Sequence, residues 1–508
     1  MIKLNGEYLS YKDFIDVVVH HKEVSITEFC IEKTEKSYSF LKQYTKDHVV
    51  YGLNTGFGPM AQYFIDESKS IDLQYNLIRS HASGAGAPLP YLECRALMLA
   101  RLNSLCFGYS AIHPDLLHTL AQFINSKIHP LIPQHGGVGA SGDLVQLAHL
   151  ALNLIGEGEV IVDNSRIPAQ LALENAGITP FRIRGREALA IMNGTSAMTG
   201  IGLLNILHAE NLLQQSILHS SILNDMMASY SDHVSEELNI VKQHKGQNYI
   251  AAEMRSILHD SNLVKKRVLL NPAQNNAKFK EKVQEYYSLR CVPQILGPVF
   301  DTIQNAKSVL CDELNSVNDN PVVYHQKEEI FHGGNFHGDY VALEMDKLKL
   351  AITKMSMLAE RQINYLAADY LNEKFPKFLI PDTPGFNFGI QGMQFSATST
   401  TAENQALSSS MYIHSIPTNA DNQDVVSMGT NAALLSQKVI ENTYQIIAIQ
   451  SICLAHAYYI FNEKDRLASK SKKHLEEMYE IVMVEYKDKP LYPYIEQIIS
   501  YLKQRISE

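Results

Sequence analysis

The sequence has few positive charges, and this shortage excludes one broad class of function. Lysine and arginine together number 44 against 54 aspartates and glutamates, so the formal net charge is −10. Proteins that bind nucleic acids usually carry a basic patch or stripe, and no basic run of that kind occurs in this chain. We therefore expect no nucleic acid as a partner.

Long apolar runs are also missing. No segment approaches the roughly 18 apolar residues of a membrane-spanning helix. Residues 1–7 soon become charged and lack the apolar region of a secretion signal. We expect a cytoplasmic protein with no membrane contact.

Closely spaced cysteines are absent as well, which makes a zinc site unexpected. No C-x-x-C pair occurs, and scattered thiols of this kind are simply buried and reduced in most proteins. The six cysteines are Cys30, Cys94, Cys106, Cys291, Cys311 and Cys453. We expect no metal ion.

Glycine and proline become scarce after the first 200 residues. Residues 203–245 and 339–375 contain neither, and residues 430–508 contain only Pro490 and Pro493. Since both residue types interrupt helices, three long helices are predicted, each on the order of 50 Å.

Apolar residues in the second of these runs recur at spacings of three, four and seven, which is typical of a helix that faces a core. They are Met345, Leu348, Ile352, Met355, Ala359 and Leu366. Helices this long must bury their apolar faces against one another. The sequence predicts a mainly α protein, with a loop-rich amino-terminal domain at residues 1–200 and a bundle of very long helices at residues 201–508.

The glycine-rich segment 135–144, HGGVGASGDL, is open to four interpretations. A phosphate-binding loop needs a lysine after the glycines, and a nucleophile elbow needs a glycine two residues after Ser141; Asp143 stands there instead. A dinucleotide-binding loop fits the spacing of Gly137, Gly139 and Gly142. The prolines just before it, however, make a preceding central strand doubtful.

The fourth interpretation is a covalent change in the chain itself. If the backbone nitrogen of Gly142 bonds to the carbonyl carbon of Ala140 and two waters are lost, an imidazolone ring with an exocyclic methylidene forms. Gly142 allows close approach, Ala140 is small, and Ser141 supplies the leaving hydroxyl. The product is an electrophile that no side chain provides. Because Ala-Ser-Gly also occurs by chance in loops, these three residues alone do not decide between the interpretations.

Seven motifs in the same order resemble those of the histidine, phenylalanine and tyrosine ammonia-lyases, in which this tripeptide forms methylidene-imidazolone. The resemblance covers nearly the whole chain. It implies elimination of ammonia from an aromatic L-α-amino acid, with this prosthetic group and no metal or dissociable cofactor. The motifs are residues 51–58 (YGLNTGFG), 137–144 (GVGASGDL), 192–195 (MNGT), 284–290 (QEYYSLR), 318–321 (NDNP), 333–337 (GGNFH) and 422–424 (NQD).

The resemblance also implies roles for individual residues. Tyr51 is the expected base for the β-proton of the substrate. Arg290 is the expected anchor of the substrate carboxylate, because its planar fork can bind both oxygens, and Asn320 supports this contact. Asp143 either helps the ring to form or caps a helix that begins at Leu144.

Further polar and aromatic residues are expected around the prosthetic group and the substrate. Asn193, Gln284 and Tyr287 resemble the groups that surround the imidazolone and the amine, and Phe336 resembles an aromatic wall. Glu403 matches a family glutamate near the amino group or the ring of the substrate, although a lone glutamate on a helix is usually solvated.

Substrate choice in the family is associated with a dipeptide that reads Ser80-His81 here. His81 can hydrogen-bond a phenol or an imidazole, so it disfavours phenylalanine. The dipeptide and Glu403 resemble histidine ammonia-lyases, whereas residues 284–297 and 336–346 look like bacterial tyrosine ammonia-lyases. We favour L-tyrosine, giving p-coumarate, over L-histidine, giving urocanate. An aromatic aminomutase is a further alternative.

Quaternary structure is also implied by the resemblance. The family forms homotetramers whose active sites draw on three subunits. Tyr51, Ser141 and Arg290 of one site therefore need not come from one chain.

Overall fold

Two compact units make up the chain in the computed structural model, which describes residues 1–267, 282–380, 382–383, 385–485, 487–504 and 506. Unit 1 comprises Met1–Asn205, Ala306–Asp346 and Ser410–Leu435, and unit 2 comprises Ile206–Asn305, Lys347–Ser409 and Ser436–Glu508. The second and third segments of unit 1 fall in the range that the sequence prediction assigned to the bundle domain. The domain boundary at residue 200 stays a prediction.

The strands of unit 1 form two-stranded sheets. Ile2–Leu4 pairs in parallel with Val24–Ile26. The strand just before the glycine-rich segment, Pro133–His135, pairs antiparallel in a two-stranded sheet, whereas a dinucleotide loop follows a central parallel strand, so that interpretation of the segment is wrong. The antiparallel pairs are Ala85–Pro88 with Pro133–His135, Glu159–Val162 with Ser165–Pro168, and Val322–Tyr324 with Glu329–Phe331.

Helices carry most of unit 1, and local signals set their ends. The Thr27 side chain accepts a hydrogen bond from the Cys30 amide and so caps the helix that follows it. Gly177, with φ +67°, ends another helix in the left-handed conformation. The α-helices are Tyr11–Val18, Glu28–Tyr44, Ser70–His81, Tyr91–Cys106, Asp115–Asn125, Leu144–Leu154, Ala169–Ala176 and Glu187–Met192.

The four longest helices have residues in both units. Their lengths are 31, 23, 29 and 32 residues, and the longest span roughly 45 Å. The apolar stripe predicted from residue 345 to residue 366 is buried throughout. These helices are Ser196–Met226, Val292–Leu314, Asp339–Ala367 and Gly429–Ile460.

Three of the long helices lie side by side in unit 2. Gln362 Nε2 donates to Ser220 Oγ at 2.9 Å, and Gln450 Nε2 donates to Gln362 Oε1 at 2.7 Å. This packing confirms the predicted fold class of a mainly α protein built on long helices. The shorter α-helices of unit 2 are Glu236–Ile240, Lys245–Leu258, Tyr287–Arg290, Asp369–Asn372, Gln391–Leu407, Ser469–Val482 and Tyr492–Gln504.

None of the helices in the described residues is long and apolar enough to cross a membrane. Short 3-10 helices complete the described elements. They are Gly58–Met60, Glu67–Lys69, Ser231–Val234, His325–Lys327, Lys377–Leu379 and Lys464–Arg466.

Candidate active site

The Ala140-Ser141-Gly142 loop packs so closely that no larger residue fits in place of Gly142. Gly142 has φ +73°, and a Cβ atom there would lie 2.0 Å from the Gly194 carbonyl oxygen. A parallel bridge joins Gly142 and Gly194. The Asp143 amide donates to the same Gly194 oxygen at 2.7 Å. Residues 193–195 therefore pack directly against the tripeptide and form a wall behind it.

Two amide side chains bind Ser141. Asn193 Nδ2 donates to the Ser141 carbonyl oxygen and Gln423 Nε2 donates to Ser141 Oγ, both at 3.0 Å. The structure thus brings Asn193 to the tripeptide, where the sequence analysis expected it. Gln423 received no role from the sequence, although it lies in the NQD motif at 422–424, which was the signal available.

Asp143 caps a different helix from the one considered in the sequence analysis. Its Oδ2 accepts from the Ala197 and Met198 amides at 2.8 and 2.9 Å, and Thr430 Oγ1 donates to its other oxygen. The helix at Leu144 receives no side-chain cap from it, so that capping interpretation is wrong. Burial raises the pKa of Asp143 to about 6, although these hydrogen bonds favour its charged form.

The tripeptide fits the implied imidazolone group. Ala140 is small and buried, and no side chain at Gly142 separates its nitrogen from the neighbouring backbone. The hydroxyl of Ser141, which would have to leave, is held by a neutral amide donor. The residues that would hold the group are therefore Asn193 and Gln423, with Gly194 behind it.

Tyr51 lies in a separate, braced loop of unit 1. Its Oη accepts a hydrogen bond from the Gly58 amide at 2.9 Å, and its ring packs edge-on to Phe57 at 6.1 Å between centroids. Gln74, a buried residue, donates to the Gly52 carbonyl at 2.8 Å. Because an amide N–H can only donate, the phenol hydrogen of Tyr51 stays available to another acceptor.

His81 ends the helix Ser70–His81, and one of its ring nitrogens is already engaged. Nδ1 lies 3.0 Å from the Leu77 carbonyl oxygen and 3.0 Å from Ser80 Oγ. Because a carbonyl oxygen can only accept, a hydrogen bond from Nδ1 to Leu77 requires the proton on Nδ1, and in that tautomer Nε2 is an acceptor. The side chain can therefore accept a hydrogen bond from a hydroxyl or N–H group.

Asn320 connects two of the recognised motifs. Its Oδ1 accepts from the Gly333 amide at 2.9 Å, and its carbonyl oxygen accepts from Arg186 at 3.0 Å. Arg186 also forms a fully buried ion pair with Asp319 at 2.9 Å, which holds the neighbouring residue. Phe336 is half-buried in the loop that follows Gly333.

The contacts described for unit 1 gather only part of the expected site. They join Ser141 to Asn193 and Gln423. Among the hydrogen bonds and ring contacts of the described residues, none links Ser141 directly to Tyr51, His81 or Phe336.

Unit 2 holds the second group of expected residues, in a turn that borders a cavity of about 520 Å³. A cavity of that size accommodates an amino acid. The Arg290 guanidinium lies 4.7 Å from the centre of the Tyr287 ring, and no carboxylate in the described part of the chain pairs with it. Gln284, Tyr287 and Asn364 line the cavity.

Buried amides hold this turn from behind. Gln362 Nε2 donates to the Ser288 carbonyl at 2.8 Å, and Asn224 Nδ2 donates to the Leu289 carbonyl at 3.3 Å. Sequence analysis did not identify Gln362 or Asn224, because a single buried amide on a long helix has no recognisable pattern. Their donors fix the backbone that carries Tyr287 and Arg290.

Glu403 is exposed on the helix Gln391–Leu407. Its Oε2 accepts from Asn442 Nδ2 at 2.7 Å and lies 3.9 Å from Lys438 Nζ. The carboxylate is thus oriented by a neighbouring helix although solvent reaches it.

Comparison with known proteins decides the family. A family model described as aromatic amino acid lyase matches residues 9–483. This chain belongs to the aromatic amino acid lyase family. The resemblance stated from the sequence motifs is confirmed.

Relatives in this lyase family carry different names. The chain is 37% identical over 505 residues to histidine ammonia-lyase of Bacillus subtilis (strain 168), covering 99% of this chain and 97% of that protein. It is 38% identical over 481 residues to the MIO-dependent tyrosine 2,3-aminomutase of Streptomyces globisporus, covering 93% and 89%. The crystal structure of a tyrosine aminomutase from Streptomyces globisporus superposes with a TM-score of 0.95 at 35% identity, covering 99% and 97%. Both lyases and aminomutases are therefore relatives of this chain.

Proposed function

We propose that this protein eliminates ammonia from L-tyrosine to give trans-p-coumarate, using an imidazolone group formed from Ala140, Ser141 and Gly142. The hydrogen bond of His81 Nδ1 to the Leu77 carbonyl supports a substrate ring that carries a donor, and the resemblance of residues 284–297 and 336–346 to bacterial tyrosine ammonia-lyases favours tyrosine over histidine. When His81 Nδ1–H donates to the Leu77 carbonyl oxygen at 3.0 Å, its Nε2 offers a lone pair to a phenol O–H. Phenylalanine has no donor to offer, so the Nε2 acceptor would stay unpaired once the substrate ring covered it.

Arg290 is proposed to bind the substrate carboxylate. Its guanidinium has no carboxylate partner among the described residues and lies 4.7 Å from the centre of the Tyr287 ring, which lines the cavity. An arginine fork binds both carboxylate oxygens at once. Asn320 would support this contact, Gln284 and Tyr287 would lie near the amine, and Glu403 near the amine or the phenol ring.

Tyr51 is proposed to take the β-proton. The Gly58 amide holds its oxygen in place, and its own O–H hydrogen must be given up before it can act as a base. When formed, the imidazolone supplies an electrophilic carbon to the substrate amine. Asn193 and Gln423 orient the tripeptide, and Phe336 would shield it from water.

A homotetramer with shared active sites is part of this proposal. Apolar side chains stand exposed along one face of the helix Asp339–Ala367, at Tyr340, Leu343 and Leu350, and Phe395 is exposed on another helix. Exposed apolar faces of this kind mark contacts with other chains. The cytoplasmic location expected from the sequence is retained in the proposal.

The first test incubates the purified protein separately with L-tyrosine, L-histidine and L-phenylalanine and follows the ultraviolet absorbance of each unsaturated acid. We expect p-coumarate to dominate, and His81→Phe to shift preference towards phenylalanine. Dominant urocanate would overturn the tyrosine assignment and favour the histidine ammonia-lyase alternative, which the Bacillus subtilis relative supports.

The second candidate is a tyrosine 2,3-aminomutase, favoured by the relative of that name at 38% identity. Chiral chromatography of the tyrosine reaction separates the two activities. Accumulation of p-coumarate without β-tyrosine supports the lyase. Accumulation of β-tyrosine would establish the aminomutase instead.

A further inference from the structure

Arg101 is a buried cation behind the wall that faces the tripeptide. It lies on the helix Tyr91–Cys106 and is 0% exposed. Its Nη1 donates to the Asn193 carbonyl at 2.9 Å, and its Nη2 donates to Ser104 Oγ at 3.1 Å. Burying an arginine costs free energy because the charge loses its water, unless the donors find partners in the protein. The two partners of Arg101 therefore indicate what the residue stabilises.

Arg101 packs tightly against the backbone of Gly194, so that no side chain fits at that position. A Cβ atom on Gly194 would lie 2.1 Å from Arg101 Nη1 and 2.5 Å from Asn318 Oδ1. Asn318 Nδ2 in turn donates to Thr195 Oγ1 at 2.8 Å. The segment 193–195 is therefore held at its first residue by Arg101 and at its last by Asn318.

That held segment makes two hydrogen bonds with the tripeptide and the residue after it, and its Gly194 carbonyl packs against Gly142. Asn193 Nδ2 binds the Ser141 carbonyl at 3.0 Å, the Gly194 oxygen binds the Asp143 amide at 2.7 Å, and a Cβ on Gly142 would meet that same oxygen at 2.0 Å. Ring closure requires the Gly142 nitrogen to reach the Ala140 carbonyl carbon. Any motion of residues 193–195 away from the loop would break both hydrogen bonds and let the tripeptide move.

We propose that Arg101 is a positioning residue for formation of the imidazolone group, an inference that rests on the proposed function. Through the Asn193 carbonyl it holds residues 193–195 against the loop. In the step it serves, a bond forms between the Gly142 nitrogen and the Ala140 carbonyl carbon. The Ala140 oxygen leaves as the first water with the hydrogens of the Gly142 and Ser141 nitrogens, and a double bond forms between the Ala140 carbon and the Ser141 nitrogen. The Ser141 hydroxyl leaves as the second water with the Ser141 α-hydrogen, which creates the methylidene.

Electrostatics are compatible with this role. Burial lowers the pKa of Arg101 to about 10, and the neighbouring Asp319 and Asp143 act in the opposite direction. The guanidinium is therefore charged near neutral pH, and a charged donor makes a stronger hydrogen bond to the Asn193 carbonyl than a neutral one.

The experiment compares Arg101→Met with Arg95→Met, a matched control. Arg95 lies on the same helix, is 1% exposed, and also donates to backbone carbonyls, those of Val17 at 2.8 Å and Ile124. Intact mass spectrometry of the folded proteins measures the fraction of chains that have lost two waters. We expect this fraction to fall about tenfold or more in Arg101→Met and to stay complete in Arg95→Met. Arg101→Lys, which keeps the charge and one donor, should restore part of it.

Each outcome has a distinct meaning. Full loss of two waters in folded Arg101→Met overturns the positioning role. If that variant does not fold, Arg101→Gln takes its place, because it loses the charged donor to the Asn193 carbonyl but keeps a polar side chain, and complete loss of two waters in folded Arg101→Gln overturns the role equally. A wild-type protein that has lost no water contradicts the proposed function itself, independently of Arg101.

Discussion

Single side chains set the chemistry of the tripeptide loop, and their partners come from distant parts of the sequence. Ser141 is bound by Asn193 and by Gln423, which is 282 positions away. Both bonds come from neutral amides, which orient the serine without adding charge beside it. Tyr51 and Asp143 allow two predictions at this scale.

Replacing Tyr51 with phenylalanine should abolish turnover while the prosthetic group still forms. The phenol oxygen is the proposed base, and loss of a general base costs about 10²- to 10⁴-fold in rate. Steady-state kinetics measure the loss, and intact mass shows whether two waters have left. Tyr63→Phe is the control, since Tyr63 is exposed and lies twelve positions along the chain. Turnover in Tyr51→Phe equal to that of the control would exclude Tyr51 as the base.

Asp143 should make stability depend on pH in an unusual direction. Burial raises its pKa to about 6 from an ordinary value of 3.8. Between about pH 4 and pH 6 the folded protein therefore holds more protons than the unfolded chain. The contribution of Asp143 to the free energy of unfolding therefore falls as pH rises through this window, and it is constant above it.

Thermal unfolding tests this prediction by comparing two proteins, the Ser141→Ala parent and the same protein with Asp143→Asn added. The Ser141→Ala change ensures that neither protein forms the ring. The Tm of Asp143→Asn relative to its parent should rise between about pH 4 and pH 6 and then stay constant. A Tm difference that does not change with pH in that window would contradict the prediction.

At the scale of helices and strands, the scarcity of glycine and proline located the long helices but not all of their ends. The run 203–245 contains neither residue, yet its helix stops at Met226. There Ala228 takes φ +51°, and the Ser229 amide donates to the Asn224 carbonyl at 3.0 Å. Asp225 also accepts from the Ala468 amide at 2.8 Å. A left-handed alanine and a hydrogen bond to a residue 243 positions away accompany the end of this helix, and neither is marked by glycine or proline in the sequence.

The long helices also place buried donors beneath the turn that carries Arg290. Gln362→Met removes the donor to the Ser288 carbonyl, and losing such a bond costs about 1–2 kcal/mol. We expect the KM for the amino acid to rise about tenfold while loss of two waters is unaffected. Gln215→Met is the control, because Gln215 is another buried glutamine of this unit and its Oε1 has no partner among the described residues. An unchanged KM in Gln362→Met would show that the turn holds its shape without this bond.

For the whole molecule, we predict how the proposed homotetramer completes its active sites. The residues proposed for one site lie partly in unit 1, as Tyr51 and Ser141 do, and partly in unit 2, as Arg290 does. In a tetramer with shared sites, one chain can supply the first group and another chain the second.

Complementation between two inactive variants tests sharing of the sites. Tyr51→Phe and Arg290→Met, carrying different tags, should each be inactive alone. Mixed oligomers purified through both tags should regain measurable activity, because some of their sites receive an intact Tyr51 from one chain and an intact Arg290 from another. Mixed oligomers that stay inactive would show that each site is built from a single chain.

The sequence by itself determined the family, the mainly α class and the tripeptide, because these depend on local patterns: motif order, helical spacing and the glycine requirement. Only the tertiary structure decided which side chains support the tripeptide and the Arg290 turn. Gln423, Arg101 and Gln362 act through single hydrogen bonds across 282, 92 and 74 positions. A contact of that kind depends on how helices pack, and packing is a property of the whole chain that no short segment contains.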